Sequence, residues 1–285
     1  MTTETGQGEI KLLAKLIIYS AIALSTLLDF PFPVHHEKHD QITKSMEKHK
    51  MDVLGMEEKN LNFNKVGPTH QWKDRFKKLQ TNTHCATNRH TTSMDKIVFG
   101  GTAYLPSTEA SHKIEQKGAD PTDLGRWTWA LLTGIQDIKT CIISGYRPIH
   151  DTTNRVGTVY SQHQKYFTDI KLSKEPRQGF LDDLKQHIDQ WREQGENIIL
   201  GLDLNDDTWN SDAARQIESW GLVNALKDRH PELNPVATCN KNTRNKPIDG
   251  IWSSPGINIL QAGMTGFGTP DMGSMDHRLL WVDFC

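Results

Sequence analysis

The stretch Ile198-Ile199-Leu200-Gly201-Leu202-Asp203-Leu204-Asn205-Asp206-Asp207 is an apolar run that ends in acids and an amide. A short aliphatic run bounded by Asn and Asp reads as a buried strand discharging into a turn. Side chains two apart on a strand share a face, so Asp203 and Asn205 can project together where it ends. A proton acceptor or metal ligand then stands beside a hydrogen-bond donor. The alternative reading is a strand followed by an ordinary Asp/Asn turn.

Outward from this strand the chain alternates strands and helices. Upstream, Phe180, Leu184, Ile188 and Trp191 recur at the three-to-four spacing that buries one face of a helix, and Gly195 supplies its stop. Strands are predicted at Ile97 to Tyr104, Lys139 to Tyr146 and Asn197 to Leu204. Downstream, a helix over about Asp212 to Trp220 leads through Gly221 into the apolar run Leu222 to Leu226, with further strands around Ile248 to Trp252 and Leu279 to Phe284. This pattern predicts an α/β domain with many strands and few helices, without the glycine-rich phosphate loop of a nucleotide-binding fold.

Two other strand ends carry chemistry. Ser274-Met275-Asp276-His277 precedes the apolar Leu279 to Val282, and Asp249 sits in Pro247-Ile248-Asp249-Gly250-Ile251-Trp252. A carboxylate beside an imidazole orients it and favours its charged form. Upstream, Asp52-Val53-Leu54-Gly55-Met56-Glu57-Glu58-Lys59-Asn60 is again a short apolar strand ending in acids. Hydrolysis of a phosphodiester needs an activated water, neutralisation of growing phosphate charge and a stabilised leaving group, so carboxylates, a cation and amides belong together.

This ordered set resembles the endonuclease/exonuclease/phosphatase superfamily, which includes pancreatic deoxyribonuclease, apurinic-site endonucleases and the endonuclease domains of non-LTR retrotransposons. The resemblance covers roughly Met51 to the C-terminus. It implies a deoxyribonuclease-like, four-layer fold: a two-sheet α/β sandwich with helices on its outer faces. By the resemblance Glu58, with Glu57 as its nearest rival, binds Mg²⁺ or Mn²⁺, and Asp276 sits near the metal or the attacking water. Tyr146, in Gly145-Tyr146-Arg147-Pro148, falls beside the scissile phosphate. Asp203 orients the water, Asn205 binds phosphate, and Asp249 pairs with His277. Leu202 and Met275 replace the family's Gly and Ser at two flanking positions. One element is missing: the Asn that ends the family's first strand, since no Asn precedes Asn60. Ser20, Ser25, Thr26 and Asp29 are the available substitutes.

The segment Asp120 to Gly134, with Gly125-Arg126-Trp127-Thr128-Trp129, and the following Tyr146-Arg147-Pro148 look most like retrotransposon-type endonucleases. In that reading Arg126, Trp127 and Arg147 contact nucleic acid, Arg through phosphate and Trp by stacking on a base; alternatively Trp127 and Trp129 are structural. The function implied is a divalent-metal-dependent DNA endonuclease, with DNA favoured over RNA. The alternatives are an inactive member that binds nucleic acid or protein, and an inositol-phosphate or lipid phosphodiesterase.

The remaining features set bounds. A chain of 285 residues with 36% apolar residues can bury one core, and the reading divides it into a divergent segment 1–50 and a domain 51–285. The net charge of -2 gives no global field for nucleic acid. Binding therefore falls to local patches such as Lys65, Lys73, Arg75, Lys77 and Lys78, partly on an amphipathic helix around Trp72, Phe76 and Leu79. Cys85, Cys141, Cys239 and Cys285 lack paired spacing, which fits reduced thiols and an intracellular protein, nuclear or cytoplasmic. The apolar run Leu16 to Leu28 is too short to span a bilayer, so no stable membrane association is expected; it reads as a first strand or helix, or as a targeting segment. His35, His36, His39 and Asp40 read as a solvated helical face rather than a metal site.

Overall fold

The computed structural model describes residues 14–20, 34–60, 76, 82–90, 98–151, 155, 157–241, 245–267 and 276–285. Its strands form two six-stranded sheets, in the orders β11-β12-β1-β2-β4-β3 and β5-β6-β7-β8-β10-β9. In the first sheet β1 is Ala14–Ser20, β2 Val53–Glu57, β3 His84–Ala86, β4 Thr102–Pro106, β11 Ile259–Met264 and β12 Leu280–Phe284. The second holds β5 Ile114–Ala119, β6 Trp127–Thr133, β7 Lys139–Tyr146, β8 Asn197–Asp203, β9 Val223–Asn224 and β10 Asp249–Ser253.

The sheets pack face to face through Val53, Tyr104, Ile142, Ile199, Ile251, Leu280 and Val282. Strand β8 is buried on both faces because it lies between β7 and β10 in its sheet and is covered above and below, which is why its sequence is a continuous apolar run rather than an alternating one. On the outer face of the second sheet lies the helix Pro176–Glu193. Proline at its start, the Glu175 carboxylate accepting from Gln178 N, and Gly195 at φ +80 define its ends. Phe180, Leu184, Ile188 and Trp191 meet Trp127, Leu200 and Leu202 there. On the other side, Ile42 and Met46 of the helix Val34–Lys48 pack on Leu54, Met56, Ala103 and Leu105 of the first sheet. Helix, sheet, sheet, helix is the order of layers, the two-sheet sandwich expected from the sequence.

Several boundaries differ for physical reasons. β4 begins at Thr102, not near Ile97, because Gly100 and Gly101 adopt φ +90 and +87 and break the extended chain. The run Leu222 to Leu226 is a two-residue strand followed by the helix Ala225–Arg229, because Asn224 caps that helix by accepting from Lys227 N. Strand β1 pairs in parallel with β2 and antiparallel with β12. Residues before 50 therefore supply an inner strand of the sheet. The basic helix around Trp72 to Leu79 lies outside the described residues, apart from a buried Phe76. His35, His36 and His39 lie on a helix, but their side chains fall outside the described set.

Candidate active site

Topology brings the chemistry-bearing strand ends to one edge. β7 and β8 run parallel, so Tyr146 and Asp203 finish side by side. β10 runs antiparallel to β8, so its first residue, Asp249, lies opposite Asp203. In the first sheet β2 ends at Glu57, parallel to β1, and β12 runs antiparallel to β1, which sets its leading segment with His277 at the same edge.

Asp203, Asp249 and His277 each offer a ligand atom within 4.8 Å of the others, and all three are buried. His277 Nδ1 lies 2.9 Å from Asp249 Oδ2. Burial alone would lower the imidazole's pKa, but the Asp249 charge and hydrogen bond, with Cys239 and Asp203 behind them, push it up to about 12. These contacts favour the imidazolium form of His277, a donor suited to phosphate oxygens.

Glu58 is held in the left-handed region at φ 49 and Asn205 at φ 50. For a Glu this conformation costs on the order of 1 kcal/mol, and such strain gathers at functional sites. Burial raises the Glu58 carboxyl, opposed by its hydrogen bond with Tyr146 and by His277. Tyr146, also buried, is raised well above an ordinary phenol by desolvation and by the Glu58 and Asp203 charges, while Asn205 shares a hydrogen bond with it. Asn205 Nδ2 also donates to the Arg147 carbonyl at 2.7 Å, and its amide donates to Asp203 Oδ1 at 3.1 Å. Glu58, Tyr146, Asn205, Asp203, Asp249 and His277 are accordingly one connected cluster.

Asp276, expected near the metal or the attacking water, adjoins His277 in the chain. Its carboxylate pairs with Lys241, whose ammonium also acts on Glu58. Arg126 and Trp127 require correction as nucleic-acid contacts. The Arg126 side chain is 0% exposed and donates to Asp120 at 2.7 Å and Asp183 at 2.8 Å. Trp127 is fully buried against Phe180, edge to face at 5.8 Å, and Trp129 packs on Trp191. A basic and an aromatic residue in a polar segment gave the same sequence signal whichever way they pointed. Arg147 is buried but lines a surface cavity next to the cluster.

Ser144, Thr238, Cys239 and Lys241 contribute to the site without having been marked by the sequence. Ser144 Oγ donates to Glu57 Oε1 at 2.9 Å; as a polar residue two before Tyr146 on one strand face, it was a findable signal. Thr238 and Cys239 brace the site. Thr238 Oγ1 accepts from the Ile248 and Asp249 amides, Thr238 O accepts from Arg278 N, and Cys239 forms a β-bridge with His277. Lys241 follows them. No local pattern marks these as site residues, because only tertiary contact gives them a role.

The donor set fits a divalent cation. Among the described residues, Glu57 Oε2 is buried without a hydrogen-bond partner. Burial and the neighbouring Asp203 and Asp249 charges raise the Glu57 carboxyl well above its usual range. Ionising all of Glu57, Glu58, Asp203 and Asp249 around one imidazolium would leave an excess of negative charge, which a hard cation with oxygen ligands relieves.

No family model matches the sequence, and no curated protein matches it. Solved structures match over nearly the whole chain. An AP endonuclease from Archaeoglobus fulgidus aligns at 14% identity and TM-score 0.63, over 94% of this chain and 98% of its own. The 3′ phosphatase NExo from Neisseria, bound to a product DNA hairpin, aligns at 15% identity and TM-score 0.62, over 95% and 99%. An endonuclease/exonuclease/phosphatase family protein from Leptotrichia buccalis aligns at 16% identity and TM-score 0.57, over 94% and 98%. Similarity at these identities is a similarity of fold.

Proposed function

We propose, from the endonuclease/exonuclease/phosphatase fold that this chain adopts, that it is a divalent-metal-dependent phosphodiester hydrolase acting on nucleic acid, and a DNA endonuclease of the retrotransposon type. The observation that carries this reading is the convergence of Glu58, Tyr146, Asp203, Asn205, Asp249 and His277 at one edge of the two-sheet sandwich. The similarity to an AP endonuclease and to a phosphatase bound to a DNA hairpin supports nucleic acid as the substrate class.

Each residue has a task that its surroundings suit. Asp203, with one carboxylate oxygen held by the Asn205 amide, orients a water and accepts its proton. The His277 imidazolium donates toward phosphate oxygens as charge grows on them, and the Asn205 side chain would join it by turning an N–H from its present partners, the Arg147 carbonyl and Tyr146. Asp249 keeps His277 charged and fixed in direction. Tyr146 fixes Glu58, which with Glu57 would hold Mg²⁺ or Mn²⁺. When bound, that ion supplies Lewis-acid stabilisation of the phosphate and its leaving oxygen.

Relaxation of supercoiled plasmid by purified protein is the test. Nicking is expected with Mg²⁺ or Mn²⁺ and is abolished by EDTA, and DNA is expected to be cut in preference to RNA. Phosphate release from inositol phosphates without DNA nicking would replace the reading with a small-molecule phosphodiesterase. A catalytically inactive nucleic-acid binder is the second reading. It is favoured by one observation: β1 ends at Ser20, paired with Glu57, where the family resemblance implies Asn. Folded protein that binds DNA but never nicks it would establish that reading.

A further inference from the structure

Beside the catalytic cluster lies a cavity of about 610 Å³ lined by Arg147, Arg177 and Arg215 with Asp206 and Asp212. Its position is fixed by the strand ends themselves. Arg147 follows Tyr146 in the chain, and its amide donates to the Asp203 carbonyl at 2.9 Å. Arg177 donates to the Asn205 carbonyl at 3.2 Å. The cavity and the catalytic edge therefore share a wall of backbone.

Three guanidinium groups and two carboxylates line the cavity, and the Glu175 carboxylate also acts on Arg147. Asp206 Oδ2 serves two guanidinium groups at once, Arg147 at 3.3 Å and Arg177 at 2.8 Å. Arg215 pairs with Asp212 and is 60% exposed. Burial, followed by the Arg177 charge, lowers the Arg147 pKa to about 10 despite Asp206, so a further anion would relieve this corner. The starts of two helices, Pro176–Glu193 and Asp212–Ser219, also line it. Their first-turn amides add partial positive charge, which the capping Glu175 carboxylate opposes in the first helix and the neutral Ser211 cap leaves in place in the second. Guanidinium groups in this number, at this size of cavity, suit a sugar-phosphate unit.

We infer that this cavity is a second phosphate site, which seats a phosphodiester flanking the one that is cut and so selects a polynucleotide over an isolated phosphate ester. The inference rests on the nucleic-acid reading above. A small phosphate ester filling the catalytic cluster would leave the cavity unused, whereas a polynucleotide carries a charge at every step along its strand. Asp206 then acts as the counter-ion that keeps Arg147 and Arg177 in place when no phosphate is present.

The test is fluorescence anisotropy of a labelled twelve-nucleotide DNA at several salt concentrations in EDTA, where cleavage is suppressed. Arg215→Glu and Arg177→Ala should each weaken binding about 5- to 10-fold and flatten the plot of log affinity against log salt by about one contact. Arg215 is exposed, so its variant tests the site without endangering the fold. Lys185→Ala, about 12 Å further along the helix from Arg177, should leave the slope unchanged. Wild-type protein that binds and nicks DNA while both arginine variants match its affinity and slope overturns the inference alone. Wild-type protein that neither binds nor nicks removes the functional reading and this site together.

Discussion

Replacing Arg126 by Met separates a structural role from a recognition role with one substitution. The guanidinium is wholly buried and donates to Asp120, Asp183, Thr122 and the Gly179 carbonyl. Asp183 keeps a partner in Lys174 at 2.6 Å, so the loss falls on Asp120, whose side chain is 0% exposed. The Thr122 amide and hydroxyl still reach Asp120 Oδ1, but among the described residues no other Arg or Lys pairs with it. Breaking a buried ion pair from one side costs about 3–5 kcal/mol, and that range is expected in urea unfolding at pH 7 with an unchanged m-value. Burial pushes the Asp120 carboxyl up, but the Arg126 charge and hydrogen bonds outweigh it and leave the carboxyl below its ordinary range. In the wild type this contribution is present above the unfolded carboxyl pKa, about 3.9, and is lost as pH falls through the lower folded value. In Arg126→Met burial acts unopposed by a cation, so the folded pKa rises and the variant loses stability as pH climbs from about 4. The gap between the two proteins should widen from pH 3 to pH 7. Adding Asp120→Leu to Arg126→Met should recover much of the loss, since no buried charge remains. A loss below about 1 kcal/mol at pH 7, with weakened DNA binding, would refute the reasoning and return Arg126 to the nucleic-acid interface.

Asp203→Asn should abolish metal-dependent nicking at any Mg²⁺ or Mn²⁺ concentration, whereas Glu58→Ala should be partly rescued by excess Mn²⁺; equal rescue of both would count against their separate roles. His277→Ala should lower the nicking rate by about two to three orders of magnitude with circular dichroism unchanged, and a near wild-type rate would remove the imidazolium from the mechanism. Burial, reinforced by the Arg126 charge, lowers the His163 pKa to about 3, so its neutral form favours the fold above the unfolded value near 6.5 and that advantage is lost as pH falls toward 3. His163→Leu should therefore show a shallower fall in unfolding free energy between pH 6.5 and pH 4 than the wild type; parallel curves would rule out this linkage.

Strand β8 and the helix Pro176–Glu193 were legible because their information is local. A full apolar run and a three-to-four repeat each dictate one conformation and one buried face. The acids, amide and imidazole at strand ends were legible for the same reason: a strand that stops being apolar announces an edge. Their order along the chain, through a family resemblance, indicated that the edges meet. Tertiary structure decided what side-chain direction alone could settle. Arg126 and Trp127 point into the interior because β6 pairs between β5 and β7 and presents that end to the helix covering the sheet. Glu58 reaches Tyr146 because its backbone turns left-handed, a torsion that no residue type there demands. Thr238, Cys239 and Lys241 serve the site from a stretch with no repeat or motif, because contacts between residues distant in sequence leave no periodicity behind. Composition and spacing fixed which elements form and where chemistry can emerge, while sheet order and register chose which of those groups share one water-poor corner.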